Sequence, residues 1–269
     1  MAQLVNAFGN LALDINSGPM AFAREEILQT FGHTVSIGRK SLFKFGEHDN
    51  LGTSRTTVNY LGIDPVRPST NSITHFSSTD VIDNQVLRVE GMTISGSDLT
   101  FTVQNITLNG QTKTALATPL ARVTRIVNVQ VGQTETLGDV YIYQDVAVTG
   151  GIPNDLTAVG NVMAATDQST LYSGTSTAST NYFLATQWKA HVARKTAAFV
   201  DLRFQIAPVG GIWRTVQTST AARENSTVIT ADPYFIIPPN YDIRVVGTSS
   251  ATNTDVHSSF DGYFADIVV

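Results

Sequence analysis

From Thr56 onward, apolar residues recur in short runs, and the clearest of them alternate at every second position: TTVNYLGI, SITHF, QVLRVEGM, LTFTVQNI, TKTALAT, RVTRIVNVQV and DVYIYQDVAV. A period of two is that of a half-buried β-strand. Gly, Pro, Asn, Asp and Ser punctuate the runs at the spacing of a sandwich or barrel. In LTFTVQNI, Leu99, Phe101, Val103 and Ile106 are the apolar positions, and Asn109-Gly110 follows as a tight turn whose residues tolerate positive φ. A second series comprises NYFLATQWKAHVA, AFVDLRFQIAP, GIWRTVQT, STVITA, YFIIP, YDIRVVGTS and YFADIVV. In FVDLRFQI, Val200, Leu202, Phe204 and Ile206 form the predicted core face, with Phe199, Asp201, Arg203 and Gln205 opposite. Gly210-Gly211 reads as a hairpin turn and Pro238-Pro239-Asn240 as a second turn. Helical segments do not separate the strands, which argues against a parallel sheet with helical crossovers.

The first 50 residues differ. Pro19 to Phe31 is a short helical candidate: Phe22, Ile27, Leu28 and Phe31 share a face, Pro19 fits the first turn, and Gly32 supplies a stop. This segment is either a lid on the first sheet or an arm that reaches a neighbouring subunit. The stretch GGIPND, Gly150 to Asp155, is the best candidate boundary. The expected organisation is therefore an arm over 1–50, a first β-domain over 51–150 and a C-terminal β-sandwich over 151–269. The fold class is all-β, with two jelly-roll-like sandwich units.

Composition narrows the chemistry. The 269 residues include no cysteine, so disulfides, thiolate metal sites and thiol nucleophiles are excluded together. Only 14% of residues are charged, while Thr and Ser are dense, which suits exposed strands and broad contact surfaces. A net charge of -5 argues against a nucleic-acid partner, which would call for a basic face. Arg39, Lys40 and Lys44 form the one compact basic group, read as a solvated turn because Glu47 and Asp49 follow. Neither a secretory leader nor an apolar run of membrane-spanning length is evident, so no membrane partner is expected.

Catalytic, cofactor and metal sites are not expected. His33, His48, His75, His191 and His257 lack any metal-ligand spacing. The stretch Ala251 to Gly262 reads as a polar loop before the last strand; its Asn253, Asp255 and Asp261 offer hard oxygen ligands for calcium, without an EF-hand pattern. Trp188, Trp213 and the tyrosines are read as packing residues more than as a saccharide surface. Tyr141 and Tyr143, two apart on one strand, form a candidate interface strand, with Val140 and Ile142 on the opposite face.

Two blocks carry a resemblance. The first runs Val89-Glu90-Gly91, read as a strand-ending turn, then TFTVQNITLNGQT, RVTRIVNVQV and GDVYIY; the second is DLRFQIAPVGGIWRTV followed by IPPNYDIRVVGTSSATNTDVHSSFDGYFAD. In both, the chain resembles β-rich virion structural proteins of tailed bacteriophages. The resemblance implies a protein that decorates or cements a capsid as a homo-oligomer, with a trimer as the expected state, made in the host cytoplasm and carried on the capsid surface. Its partners would be itself and the major capsid protein or other virion proteins. The alternative is a head- or tail-fibre protein that recognises host glycan. No catalytic residues carry across. Phe22, Phe31, Phe43 and Phe45 are the candidate anchor to capsid or sister subunit.

Overall fold

The computed structural model describes residues 40–129, 135–170, 181–193, 199–222 and 226–266. The chain is all-β, built from antiparallel sheets. Strands β1 (Lys40–Leu51) and β2 (Thr56–Thr57) open the described chain. A first group follows: β3 (Ile73–Ser78), β4 (Val86–Ser95), β5 (Asp98–Thr107), β6 (Thr114–Leu120), β7 (Arg122–Asn128), β8 (Val140–Gln144), β9 (Val148–Thr149), β10 (Ile152–Pro153), β11 (Val159–Met163) and β12 (Ser169–Thr170). The last group is β13 (Asn181–Ala193), β14 (Phe199–Pro208), β15 (Arg214–Ala222), β16 (Ser226–Ile237), β17 (Tyr241–Ser249) and β18 (Thr254–Asp266).

Pairing splits these strands into two sandwiches. One combines sheets β11-β8-β3-β6 and β12-β7-β4-β5; the other combines β1-β18-β13-β16 and β2-β17-β14-β15. Counted along its own eight strands, the second sandwich has the orders 1-8-3-6 and 2-7-4-5, which is a jelly roll. The first sandwich has a different order and is inserted between the second and third strands of that jelly roll.

This topology moves the expected boundaries. Strand β1, Lys40–Leu51, which except for Leu51 falls in the expected arm, is the first strand of the jelly roll and pairs with β18 along most of its length. Gly150 to Asp155 holds the turn and second strand of the β9–β10 hairpin, with Gly150 and Gly151 at φ 56° and 80°; the strands after it, β11 and β12, still pair within the inserted sandwich. The turn chemistry was legible, but a turn signal does not tell which sheet the next strand joins. The helix expected over Pro19–Phe31 lies outside the described residues.

Each sandwich has its own core. In the jelly roll, Val200, Leu202 and Phe204 face inward as the alternation predicts, with Ile206 partly buried beside them. Trp188, Phe183 and Phe260 join them, and Phe204 meets Phe260 edge-on at 5.4 Å between ring centroids. The Trp188 indole Nε1 donates to Ser258 Oγ at 2.9 Å, so its one polar atom is satisfied. In the inserted sandwich, Ile73, Leu87, Val89, Leu120, Ile126 and Ile142 fill the space between sheets.

Two strand readings change. In β5, Leu99 and Ile106 are buried, but Phe101 and Val103 are 53% and 47% exposed. Leu99 shares their face yet is covered at the junction, in a cluster with Met92, Ile94 and Val209, whereas β5 is otherwise a sheet edge. Val89-Glu90-Gly91 is not a turn: it lies within β4, where the register with β7 shifts between Glu90 and Gly91. A Cβ at Gly91 would meet the Arg122 carbonyl at 2.5 Å, so glycine permits the close approach of β7 there.

A buried ion pair joins the sandwiches. The Arg122 guanidinium at the start of β7 forks onto Asp242 of β17, Nε to Oδ1 at 2.8 Å and Nη2 to Oδ2 at 3.0 Å. The two residues are 2% and 1% exposed, and Arg122 also donates to the Pro68 and Ala121 carbonyls. Around this pair, Trp213 is held between Arg67 and Arg244, each 4.2 Å from its ring centroid. Asn240 accepts from Leu99 N and donates to Asp98 across the same junction. Lys44 is a third tie. Expected in a solvated turn, it is 5% exposed, and its ammonium donates to the Thr124 carbonyl at 3.1 Å. Burial pulls its pKa from 10.5 down to about 8; Glu90 opposes the shift and Arg125 adds to it.

Candidate assembly surface

Alternation along β1 places Phe43, Phe45 and Glu47 on the outer face of the jelly roll, while Lys44 points inward. Phe43 is 56% exposed, and its ring centroid lies 6.1 Å from that of Phe45. Across the sheet, Phe45 pairs with Ser259 and Glu47 with His257; Lys189 and His191 of β13 continue these rows. The result is a groove of about 500 Å³ with an aromatic margin on β1 and a polar floor. Lys189 Nζ lies 3.6 Å from Asp261, and His257 Nδ1 lies 3.5 Å from Glu47. These exposed pairs add little stability and leave the face available for exchange with partner groups.

Of the four expected anchor aromatics, Phe43 and Phe45 are therefore brought together on one face, with Phe43 open to solvent. Phe22 and Phe31 lie outside the described residues. Among those residues, β1 hydrogen-bonds to β18 alone and is an edge of its sheet.

Tyr141 and Tyr143 do not present a face to another chain. They are 3% and 0% exposed, because β8 is an inner strand whose second face is covered by Tyr60, Ile63, Val146 and Val148. The Tyr143 hydroxyl hydrogen-bonds with Ser77 at 2.9 Å. Burial, with Asp139 and Tyr60 adding to it, pushes the Tyr141 phenol up to about 12. The run VYIYQ signalled this double burial by carrying bulky side chains at four successive positions.

The other aromatic and polar candidates resolve as follows. Trp188 is core and Trp213 is part of the junction. Most of the stretch read as a polar loop, Ala251 to Gly262, belongs to strand β18. Asp255 and Asp261 are six residues apart on that extended strand, roughly 20 Å at the strand rise, so they do not converge on one cation. Among the described residues, no group of three or more His, Asp or Glu side chains is placed to hold a metal ion, and no helix is long and apolar enough to cross a membrane.

No family model and no curated protein matches this chain. Among solved structures, the infectious bursal disease virus VP2 subviral particle is 14% identical, with 86% of this chain and 72% of that chain covered at a TM-score of 0.23. The Gx strain of the same virus gives 11% identity, 85% and 72% coverage and a TM-score of 0.26. The Cowpea Mosaic Virus empty virus-like particle gives 9% identity, 73% and 84% coverage and a TM-score of 0.21. At these TM-scores the superpositions are too loose to carry a conclusion about this chain, and its function is argued from its own geometry.

Proposed function

We propose that this chain is a non-enzymatic virion structural protein that decorates and reinforces a capsid as a homo-oligomer, with three copies as the expected state. The observation that carries the reading is the exposed Phe43–Phe45 margin on an edge strand of a jelly roll, immediately after residues 1–39. Jelly rolls recur in viral capsid and lectin domains, so the fold contributes an analogy, and the surface contributes the specific attachment point. The sequence resemblance to tailed-phage virion proteins supports the same reading. In this account the protein works by contact area: each interface buries on the order of 1,600 Å², and closed symmetry multiplies weak contacts.

The test is reconstitution on particles that lack the protein. Full-length chain should bind, whereas a chain without residues 1–39 and the Phe43→Asp variant should remain folded and bind poorly. Retained binding by both would overturn the anchor role. A second reading, host-glycan recognition, is favoured by the groove of about 500 Å³ beside the aromatic pair. A glycan array probed with the isolated protein separates the two, because a decoration protein gives no selective binder.

A further inference from the structure

Strand β5 is the long open edge of the inserted sandwich among the described residues. Of the other three edges, β12 has two residues, β11 is buried at every position, and β6 carries Pro119 while the Gln104 side chain of β5 takes both the N–H and the C=O of its Thr118. Short strands, cover and proline are the ordinary means of keeping a sheet edge from pairing with another chain. Strand β5 has none of them. In DLTFTVQNIT the one charge is Asp98, at the end, and there is no proline or glycine; Phe101 and Val103 stand 53% and 47% exposed at the centre.

The direction of its backbone groups follows from the bonds at one end. Ile94 of β4 lies opposite Leu99. The Ile94 N–H and C=O both go to the Asn71 side-chain amide, at 2.6 and 3.1 Å, and the Leu99 N–H goes to Asn240 Oδ1 at 3.0 Å. These two residues therefore turn their backbone groups away from each other. The register of β4 with β5 runs without a shift from Ser95–Asp98 to Val86–Thr107. In an antiparallel ladder such pairs alternate with bonded ones, so Phe101, Val103 and Asn105, like Leu99, direct N–H and C=O to the outer edge. Asn240 fills that edge at Leu99 and leaves it open from Phe101 onward.

We propose that β5 is a docking strand for a second copy of this chain: it pairs antiparallel with the partner's β5 about a twofold axis at Thr102, joining the two β12-β7-β4-β5 sheets edge to edge. Self-complementarity identifies the occupant. With the axis at Thr102, Phe101 lies opposite Val103 of the partner subunit and Val103 opposite the partner's Phe101, so the two exposed apolar residues cover each other twice. An aromatic and a β-branched side chain directly opposite on one face form a favourable pair. An axis at Val103 would set Phe101 against the partner's Asn105. An axis at Phe101 would set Val103 against the partner's Leu99, whose N–H Asn240 already holds. The centre of the strand carries no charge to repel its copy, and a twofold contact closes on two chains instead of growing into a fibre. The edge is separate from the Phe43–Phe45 face of the jelly roll, so it joins copies in pairs whether or not that face binds a capsid.

Covalent trapping tests this register, since the chain has no cysteine of its own. Across the axis Thr102 meets its own copy as a non-hydrogen-bonded pair with Cα atoms about 4.5 Å apart, within the span of a disulfide. The two copies of Thr100 lie four positions apart along the strands, roughly 13 Å. In a glutathione redox buffer, full-length Thr102→Cys should form a covalent dimer that dithiothreitol reverses, whereas Thr100→Cys should run as a single chain on non-reducing gels. Adding Val103→Pro to Thr102→Cys should abolish the dimer; this proline removes an outward N–H and spares the ladder with β4. Phe101→Glu, which keeps every backbone group, should lower the dimer yield likewise, and circular dichroism checks the fold of each variant. In the unsubstituted chain, amide exchange at Phe101 and Val103 should slow as protein concentration rises. Equal trapping at 102 and 100, no trapping at 102, a dimer indifferent to both disrupting changes, or exchange independent of concentration would overturn the proposal.

Discussion

Replacing Lys44 with methionine should stabilise this protein at neutral pH, by an amount that disappears in alkali. The Lys44 ammonium is 5% exposed, and its pKa falls from 10.5 to about 8, chiefly through burial. The shift of about 2.5 units corresponds to about 3 kcal/mol at roughly 1.36 kcal/mol per unit. The sign follows from proton binding. Between pH 8 and 10.5 the unfolded chain holds the Lys44 proton and the folded chain does not, so folded stability rises with pH through this window. Below pH 8 the full penalty is present; above 10.5 it is gone. Methionine keeps much of the stem volume and removes the charge, but leaves the Thr124 carbonyl without its donor, a loss of roughly 1 kcal/mol at all pH values. The variant should therefore be more stable than the parent by about 2 kcal/mol at pH 7 and slightly less stable above pH 10.5. Urea denaturation of both proteins from pH 7 to 11 measures the difference, in which the other titrating groups cancel. A difference that does not change with pH would refute the assignment of a desolvated ammonium at the junction.

Arg122→Met should destabilise by about 3–5 kcal/mol in thermal or chemical unfolding, because Asp242 is left charged and buried; adding Asp242→Leu should recover most of the loss. Gly151→Ala should be among the most damaging small changes, since φ is 80° and a Cβ would sit 1.7 Å from the Ser78 carbonyl oxygen; a loss above about 3 kcal/mol is expected by urea midpoint. Phe43→Asp should leave the unfolding midpoint within about 0.5 kcal/mol of the parent while abolishing particle binding in a sedimentation assay.

Legibility of the sequence followed the range of the interaction that fixed each feature. Period-two alternation is local, so Val200, Leu202 and Phe204 were placed in a core from residues alone, as was the hairpin at Gly210 with its φ of 71°. Alternation does not say what covers a face. Phe101 and Val103 are read as apolar positions of a half-buried strand, yet they are exposed on β5, a sheet edge, while Leu99 is buried among Met92, Ile94 and Ala121 of its own sandwich and Val209 of the jelly roll. Tyr141 and Tyr143 were read as available, yet the hairpin region after β8 folds back over them. Non-local topology was least legible: nothing in KSLFKFGEHDNL announces that it pairs with the last strand of the chain more than 200 residues away, so it was assigned to an arm. Lys44 illustrates the same limit. In sequence Lys44 is flanked by Phe43 and Phe45, with Glu47 and Lys40 the nearest charges, but its neighbours in space are Thr124, Glu90 and Arg125 of the inserted sandwich. Of the candidate anchor, Phe43 and Phe45 were legible as a pair because two residues apart on a strand means one face.

The central claim is a virion address, and abundance on particles tests it most directly. Purified particles carrying this protein would be separated into heads and tails, and the chain quantified against the major capsid protein by mass spectrometry. The account predicts a signal confined to heads, at a copy number comparable to the capsid subunit. A low-copy signal confined to tails or vertices would contradict decoration and favour the glycan-binding fibre, and absence from particles would contradict a virion role altogether.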